Sequence, residues 1–197
     1  MVSLSLQGTN TGVPKMNRKS FIAAAAAVLV SFGLAAAPEA EANGKGKSKG
    51  PNLVEVAQAV NSSGPFAGQF DTLIAAVLAA DPAVVQRLTA KRQSTVFAPT
   101  DGAFEALGLT PANIGTLDEG ALTQILLYHV VNGRRDSNDV LGSTQLRTLQ
   151  GGFVRQDTGM LIDNDKDSPD AGFVATDVPA SNGIIHAINA VLLPFEL

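Results

Sequence analysis

A chain of 197 residues with 45% hydrophobic content can close one sizeable core without help from a metal or a disulfide. It contains no cysteine, which excludes a disulfide framework, thiol catalysis and cysteine-ligated zinc. Residues 51–197 carry eight Lys/Arg against sixteen Asp/Glu, and no basic stripe interleaves with aromatics, so nucleic acid is excluded as a partner.

Residues 1–15 are polar and precede a second methionine, Met16; they read as an upstream extension or a mis-start. Arg18 and Lys19 then lead into an apolar run, Phe21 to Ala37, followed by Ala40-Glu41-Ala42. Positive, apolar, then A-x-A is the layout of a secretory signal peptide, here 16–42. The rival is an uncleaved anchor, but 17 Ala-rich residues are marginal for a hydrocarbon core of about 30 Å. Membrane attachment is therefore expected only through an uncleaved signal segment. The mature chain is placed outside: secreted, extracellular or periplasmic, or held at the cell surface. Residues 43–50, NGKGKSKG, have nothing to bury and read as a flexible linker before one folded domain, 51–197.

Asn52 with Glu55 three residues on is a capping pattern, followed by Leu53, Val56, Ala57 and Val60 on one helical face. Phe70, Leu73, Ile74, Val77 and Leu78 form a second, full stripe expected to face the core. Asp81-Pro82 sets a cap with proline at the first helical position. Thr95–Ala98 is β-prone and stops at Pro99, where Thr100 or Asp101 is expected to cap the next helix, carrying Phe104 and Leu107. Thr116-x-x-Glu119 reads as a capping box ahead of Leu117, Ala121, Leu122, Ile125 and Leu126.

From Tyr128 onward the period becomes strand-like. The expected strands are Tyr128–Val131, Leu146–Leu149, Phe153–Gln156, Met160–Ile162, Phe173–Val178, Ile184–Ile188 and Val191–Leu193. Helices first and strands later imply an α+β fold, a β wedge or sandwich with helices packed on one side.

Little in the chain points to catalysis. His129 and His186 are the only histidines, each inside an apolar run. The expectation is that His129 bonds to backbone and pins the sheet, and that His186 fills its slot in a strand. No nucleophile elbow, His-Glu-x-x-His or phosphate loop occurs, so the chain is expected not to be an enzyme and to need no cofactor. Asp163, Asp165 and Asp167 alternate and could offer oxygens to calcium. An EF-hand would need glycine at Ser168 and glutamate at Val174, so a solvated loop tip is the preferred reading and no metal site is assigned. Arg134-Arg135 beside Asp136 and Asp139 reads as an exposed, charged hairpin edge.

Three stretches together resemble fasciclin-like domains: Thr95-Val96-Phe97-Ala98-Pro99-Thr100-Asp101-Gly102-Ala103-Phe104, then Leu127-Tyr128-His129-Val130-Val131, then Asn182-Gly183-Ile184-Ile185-His186-Ala187-Ile188-Asn189 running into Val191-Leu192-Leu193-Pro194. They stand in the family's order and spacing across about 52–197. The Asn189 position is more often aspartate in the family.

The resemblance implies a seven-stranded β wedge in a secreted bacterial single-domain protein, a non-catalytic adhesion or matrix-interaction module. The implied partner is a cell-surface or matrix protein or a polysaccharide. In animal adhesion members, integrin recognition has been placed on an Asp-Ile pair before the last motif and on the Tyr-His motif. Asp177-Val178, with valine for isoleucine, and Tyr128-His129 hold those positions, so the resemblance makes Asp177, Val178, Tyr128 and His129 the candidate contacts. The alternative reading is a secreted carrier of a small apolar ligand, a pigment or lipid, in an aliphatic cleft.

Overall fold

The computed structural model describes residues 50–166 and 168–195; the expectations for 1–49 and for Asp167 lie outside the described residues. Six α-helices occur among them: α1 (Leu53–Ser62), α2 (Asp71–Ala79), α3 (Pro82–Thr89), α4 (Asp101–Glu105), α5 (Glu119–Tyr128) and α6 (Ser137–Leu141). Seven strands, β1 (Ser94–Pro99), β2 (Val130–Asn132), β3 (Gln145–Arg147), β4 (Phe153–Asp157), β5 (Met160–Ile162), β6 (Ala171–Ala180) and β7 (Gly183–Ile188), make one mixed sheet. The fold is α+β. Its strand order is β2-β1-β7-β6-β5-β4-β3.

β1 and β7 run parallel near one end of the sheet, and the other neighbours are antiparallel. The outermost strands then meet: Val131 bridges Thr148, and the Leu149 N–H donates to the Val130 carbonyl at 2.7 Å. Curling brings the two ends of the sheet together as a wedge and leaves two cores. Outside it, α1, α2, α3 and α5 pack Leu53, Leu73, Val84 and Leu122 toward Ala98, Ile185 and Ala187. Inside it lie Phe97, Tyr128, Val131, Val154, Leu161, Ile188 and Leu192.

Local signals hold where the chain serves itself. Asn52 Oδ1 accepts from Val54 and Glu55 N–H groups, and Glu55 reaches back to the Asn52 N–H at 2.8 Å, a complete capping box. Asp81 caps α3 with Pro82 at its first position.

Elsewhere a distant residue does the work. Asp101 does not cap α4; its carboxylate accepts from Asp71 and Thr72 N–H groups at 3.2 and 2.8 Å and so caps α2, whose own N-cap residue, Phe70, has no side-chain bond. Thr116 turns back to the Asn113 carbonyl, and Asp118 caps α5 instead. Leu78, expected in the core, is 74% exposed because the buried face of α2 is formed by Thr72, Leu73 and Ala76 and Leu78 falls on the opposite side of the helix.

Val191–Leu193 is buried but forms no strand: the Leu192 and Leu193 N–H groups go to the side chains of His129 and Asp163, not to a ladder. Tyr128 belongs to the end of α5, and His129 is its C-cap. The segment read as a hairpin edge is α6 with Asp136 as N-cap, while Arg134 Nη1 donates to the carbonyls of Ala180 and Gly183 at the β6–β7 turn.

Candidate functional site

β6 is ten residues long and spans both halves of the sheet, so it must bend. Its pairing with β7 shifts register between Phe173 and Ala175 and again between Ala175 and Val178. Asp177 sits in the second shift with φ of +62°, a left-handed conformation that costs an ordinary side chain free energy but that aspartate tolerates better than most. Two partners hold it there. Its N–H donates to His186 Nδ1 at 3.2 Å, and its carboxylate accepts from the Ser137 N–H at 2.8 Å and from the Ser137 hydroxyl. The residue itself is exposed, and Val178 beside it is half-buried against the helical core.

His186 lies beneath the bulge, fully buried, stacked on Phe97 and edge-on to Phe173. With Nδ1 accepting from Asp177, Nε2 must carry the hydrogen and donate to the Arg135 carbonyl at 2.9 Å. Burial lowers its pKa, against smaller raising effects from that carbonyl, Asp177 and Asp136. Ser137 donates to Asp177 and not to the ring, so Ser137, Asp177 and His186 do not form a nucleophile–base relay.

Tyr128 and His129 lie apart from this bulge, in the interior. Tyr128 is fully buried, and its hydroxyl donates to the Phe153 carbonyl at 2.7 Å; burial first, then the charge of Asp163, pushes its pKa up to about 12. His129 is 3% exposed, bonded through Nδ1 to the Ile125 carbonyl and through Nε2 to the Leu192 N–H. Neither side chain is presented to a partner, which corrects their placement among candidate contacts. The motif is a joint between α5 and the wedge interior. Tyr128→Phe is expected to lower stability by about 1 kcal/mol, the net worth of one hydrogen bond, read as a shift in the urea midpoint. An unchanged midpoint would remove the Phe153 bond from the account.

The acidic loop also departs from expectation. Asp163 is 7% exposed, and its carboxylate accepts from Asp165 N–H, Ser168 Oγ and Leu193 N–H at 3.1, 3.2 and 2.7 Å. Burial raises its pKa in spite of those bonds. It is a buried loop pin, not part of a solvated tip. Among the described residues no group of three His, Asp or Glu side chains is placed to hold a metal ion.

Two residues that sequence reasoning left without a role are central here. Asn182 accepts from the Leu53 N–H at 2.9 Å and donates to the carbonyls of Leu88 and Ala90, each at 2.7 Å, tying α1 and α3 to the β6–β7 turn. Ser137 anchors Asp177; the pattern Asp136-Ser137-x-Asp139, a helix cap, was the available signal.

A model of the Fasciclin domain matches residues 68–194. Protein sll1483 of Synechocystis sp. is 39% identical over 127 residues, covering 64% of this chain and 67% of that protein. Uncharacterized protein sll1735 of the same organism is 35% identical over 147 residues, covering 73% of this chain and 98% of that one. Among solved structures, a FAS1 domain pair from the insect cell adhesion molecule fasciclin I aligns with a TM-score of 0.55 at 21% identity, covering 73% of this chain and 51% of that one.

Proposed function

The chain belongs to the fasciclin domain family, and from that premise we propose that it is a non-catalytic extracellular adhesion or matrix-interaction module. Its partner is a cell-surface or matrix protein or polysaccharide, and Asp177 and Val178 mark the contact. One observation carries this: β6 displays Asp177 on an exposed bulge whose unusual backbone is fixed from below by His186 and from the side by Ser137. A surface group held in one conformation before binding loses little entropy on binding. Two facts support the non-catalytic part. Both histidines are buried, and their ring nitrogens are occupied by backbone groups.

The test is saturable binding of the full-length chain to cells of the source organism, with and without a calcium chelator. Asp177→Asn, which keeps the left-handed backbone accessible, is expected to weaken binding at least about fivefold with little change in melting temperature. Asp177→Ala is expected to lose binding and also about 1–2 kcal/mol of stability, because alanine tolerates that φ poorly. If Asp177→Asn binds like the parent, the contact lies elsewhere. Loss of binding on chelation would return the 163–170 loop to consideration as a site.

A second reading, a carrier of a small apolar ligand, is favoured by one feature. Leu53, Val54, Ala57, Ile74, Val77 and Leu78 line an apolar cleft of about 90 Å³ among α1, α2 and α3, which a pigment or lipid would have to widen to enter. The exposed Leu78 stands in its wall. An organic extract of the native protein separates the readings: a stoichiometric pigment or lipid supports the carrier, and an empty extract removes it.

A further inference from the structure

The ends of the curled sheet meet at a single bridge, Val131 to Thr148, and part beyond it. The gap between β2 and β3 is an open pocket of about 520 Å³, within the size range of sites for small polar ligands. Asn132, Arg135, Ser143, Gln145, Arg147 and Thr148 line it, and among the described residues no carboxylate does. Arg135 contributes to the fold through its backbone, its N–H on Thr95 Oγ1 and its carbonyl on His186. Among the described residues, neither its guanidinium nor that of Arg147 has a hydrogen bond or an ion-pair partner.

Positive charge also gathers around β2. Arg87 Nη2 donates to Asn132 Oδ1 at 2.7 Å while its Nη1 is buried without a partner, and Arg134 stands two residues after the strand with its guanidinium on the β6–β7 turn. Four of the eight Lys/Arg of residues 51–197 thus surround a three-residue strand in a domain with twice as many acidic groups.

We propose that this seam pocket binds an acidic sugar unit of a polysaccharide, with Arg135 and Arg147 on its carboxylate or sulfate oxygens. The inference rests on the adhesion reading and specifies its polysaccharide arm. Guanidinium groups match planar or trigonal oxyanions with paired, charge-assisted hydrogen bonds. The neighbouring amides of Asn132 and Gln145 and the Ser143 hydroxyl suit a ligand dense in hydroxyls. An acidic peptide would be expected to use an apolar anchor as well, yet Val131 and Leu146 in the pocket wall are each only 3% exposed, which leaves the half-buried Leu149 as the one partly accessible large apolar side chain among the described lining residues.

The experiment is calorimetric titration of the full-length chain with polygalacturonate, dextran sulfate, neutral dextran and polyglutamate. Binding to polygalacturonate identifies a uronate, and binding to dextran sulfate alone identifies a sulfate ester. Affinity is expected to fall steeply between about 50 and 200 mM salt. Arg135→Gln with Arg147→Gln is expected to weaken binding at least about tenfold at an unchanged melting temperature, since neither guanidinium holds the fold together. Arg147→Gln alone serves if the double variant folds poorly. Arg155→Gln, on β4 outside the pocket, is the charge-matched control for Arg147→Gln alone and is expected to stay within about twofold of the parent.

Equal binding by parent and double variant, equal damage from Arg155→Gln, equal binding of neutral dextran, or a preference for polyglutamate each overturns the proposal. Cell binding that depends on Asp177 without any polyanion binding overturns this site and leaves the adhesion reading standing. Arg-dependent polyanion binding without cell binding does the reverse.

Discussion

Gly183→Ala is expected to abolish or severely deplete folded protein, with a loss of more than about 3 kcal/mol in whatever remains soluble. Gly183 opens β7 and lies directly beside Ser94 across the parallel β1–β7 pair. A Cβ there would stand 2.0 Å from the Ser94 carbonyl oxygen, 3.0 Å from its carbonyl carbon and 3.1 Å from Leu53 Cδ1. The first two are backbone atoms of a central strand and cannot swing aside as a flexible side chain would. Separating the strands to make room would strain the Ser94 N–H bond to the Asn182 carbonyl at 3.1 Å and the Arg134 bond to the Gly183 carbonyl. It would also disturb Asn182, which ties two helices to this turn. For a domain with a net stability of about 5–15 kcal/mol, that is a large share. Urea denaturation and soluble yield measure it. The control is Gly102→Ala, where an added Cβ meets nothing within 4 Å, expected near neutral or slightly stabilising. A Gly183→Ala protein with the parent's midpoint would show that β1 and β7 do not pack in this register.

The same turn shows how far sequence reasoning reaches. Elements whose caps lie within their own few residues, such as α1 behind Asn52 and α3 behind Asp81-Pro82, are readable because local hydrogen bonds decide them. Strands β4, β5 and β7 are readable from alternation and turn residues; between β4 and β5, Thr158 and Gly159 both take positive φ, as a tight hairpin needs. Four of the misreadings share one cause. Asp101, Asp163, Arg134 and Val191–Leu193 are each satisfied by a group far along the chain, and composition near them carries no trace of that partner.

The candidate site divides along the same line. Asp177 is legible as a motif position, but its bulge depends on His186 and on Ser137, 40 residues earlier. Tyr128-His129 is equally legible and lies inside the protein, because a recurring motif can serve the core as well as a surface. The Arg135–Arg147 seam carries no spelling at all: it exists only once the sheet has curled and brought β2 to β3.

Acidification is expected to destabilise the domain between about pH 6.5 and pH 4, with His129 as the largest histidine contribution. The ring is wholly buried, and burial lowers its pKa from 6.5 to about 4, more than the Ile125 carbonyl can raise it. Nε2 must stay unprotonated to accept the Leu192 N–H, so the native state resists a proton that the unfolded chain takes up near pH 6.5. The unfolded state therefore binds more protons across this window, and stability falls as pH falls. A displacement from 6.5 to about 4 corresponds to about 3 kcal/mol, complete near the lower value. His186, also lowered by burial, acts in the same direction. Asp163 opposes it near the acid end, because a carboxyl raised by burial takes up its proton in the native state first. His129→Gln isolates the effect. Its amide can still accept from Leu192 but does not titrate, so it is expected to lose about 1–3 kcal/mol near neutral pH. The variant's urea midpoint should then vary less steeply with pH than the parent's between about pH 7 and pH 4.5. Equal slopes for parent and variant would mean that His129 is not the group whose burial couples folding to pH.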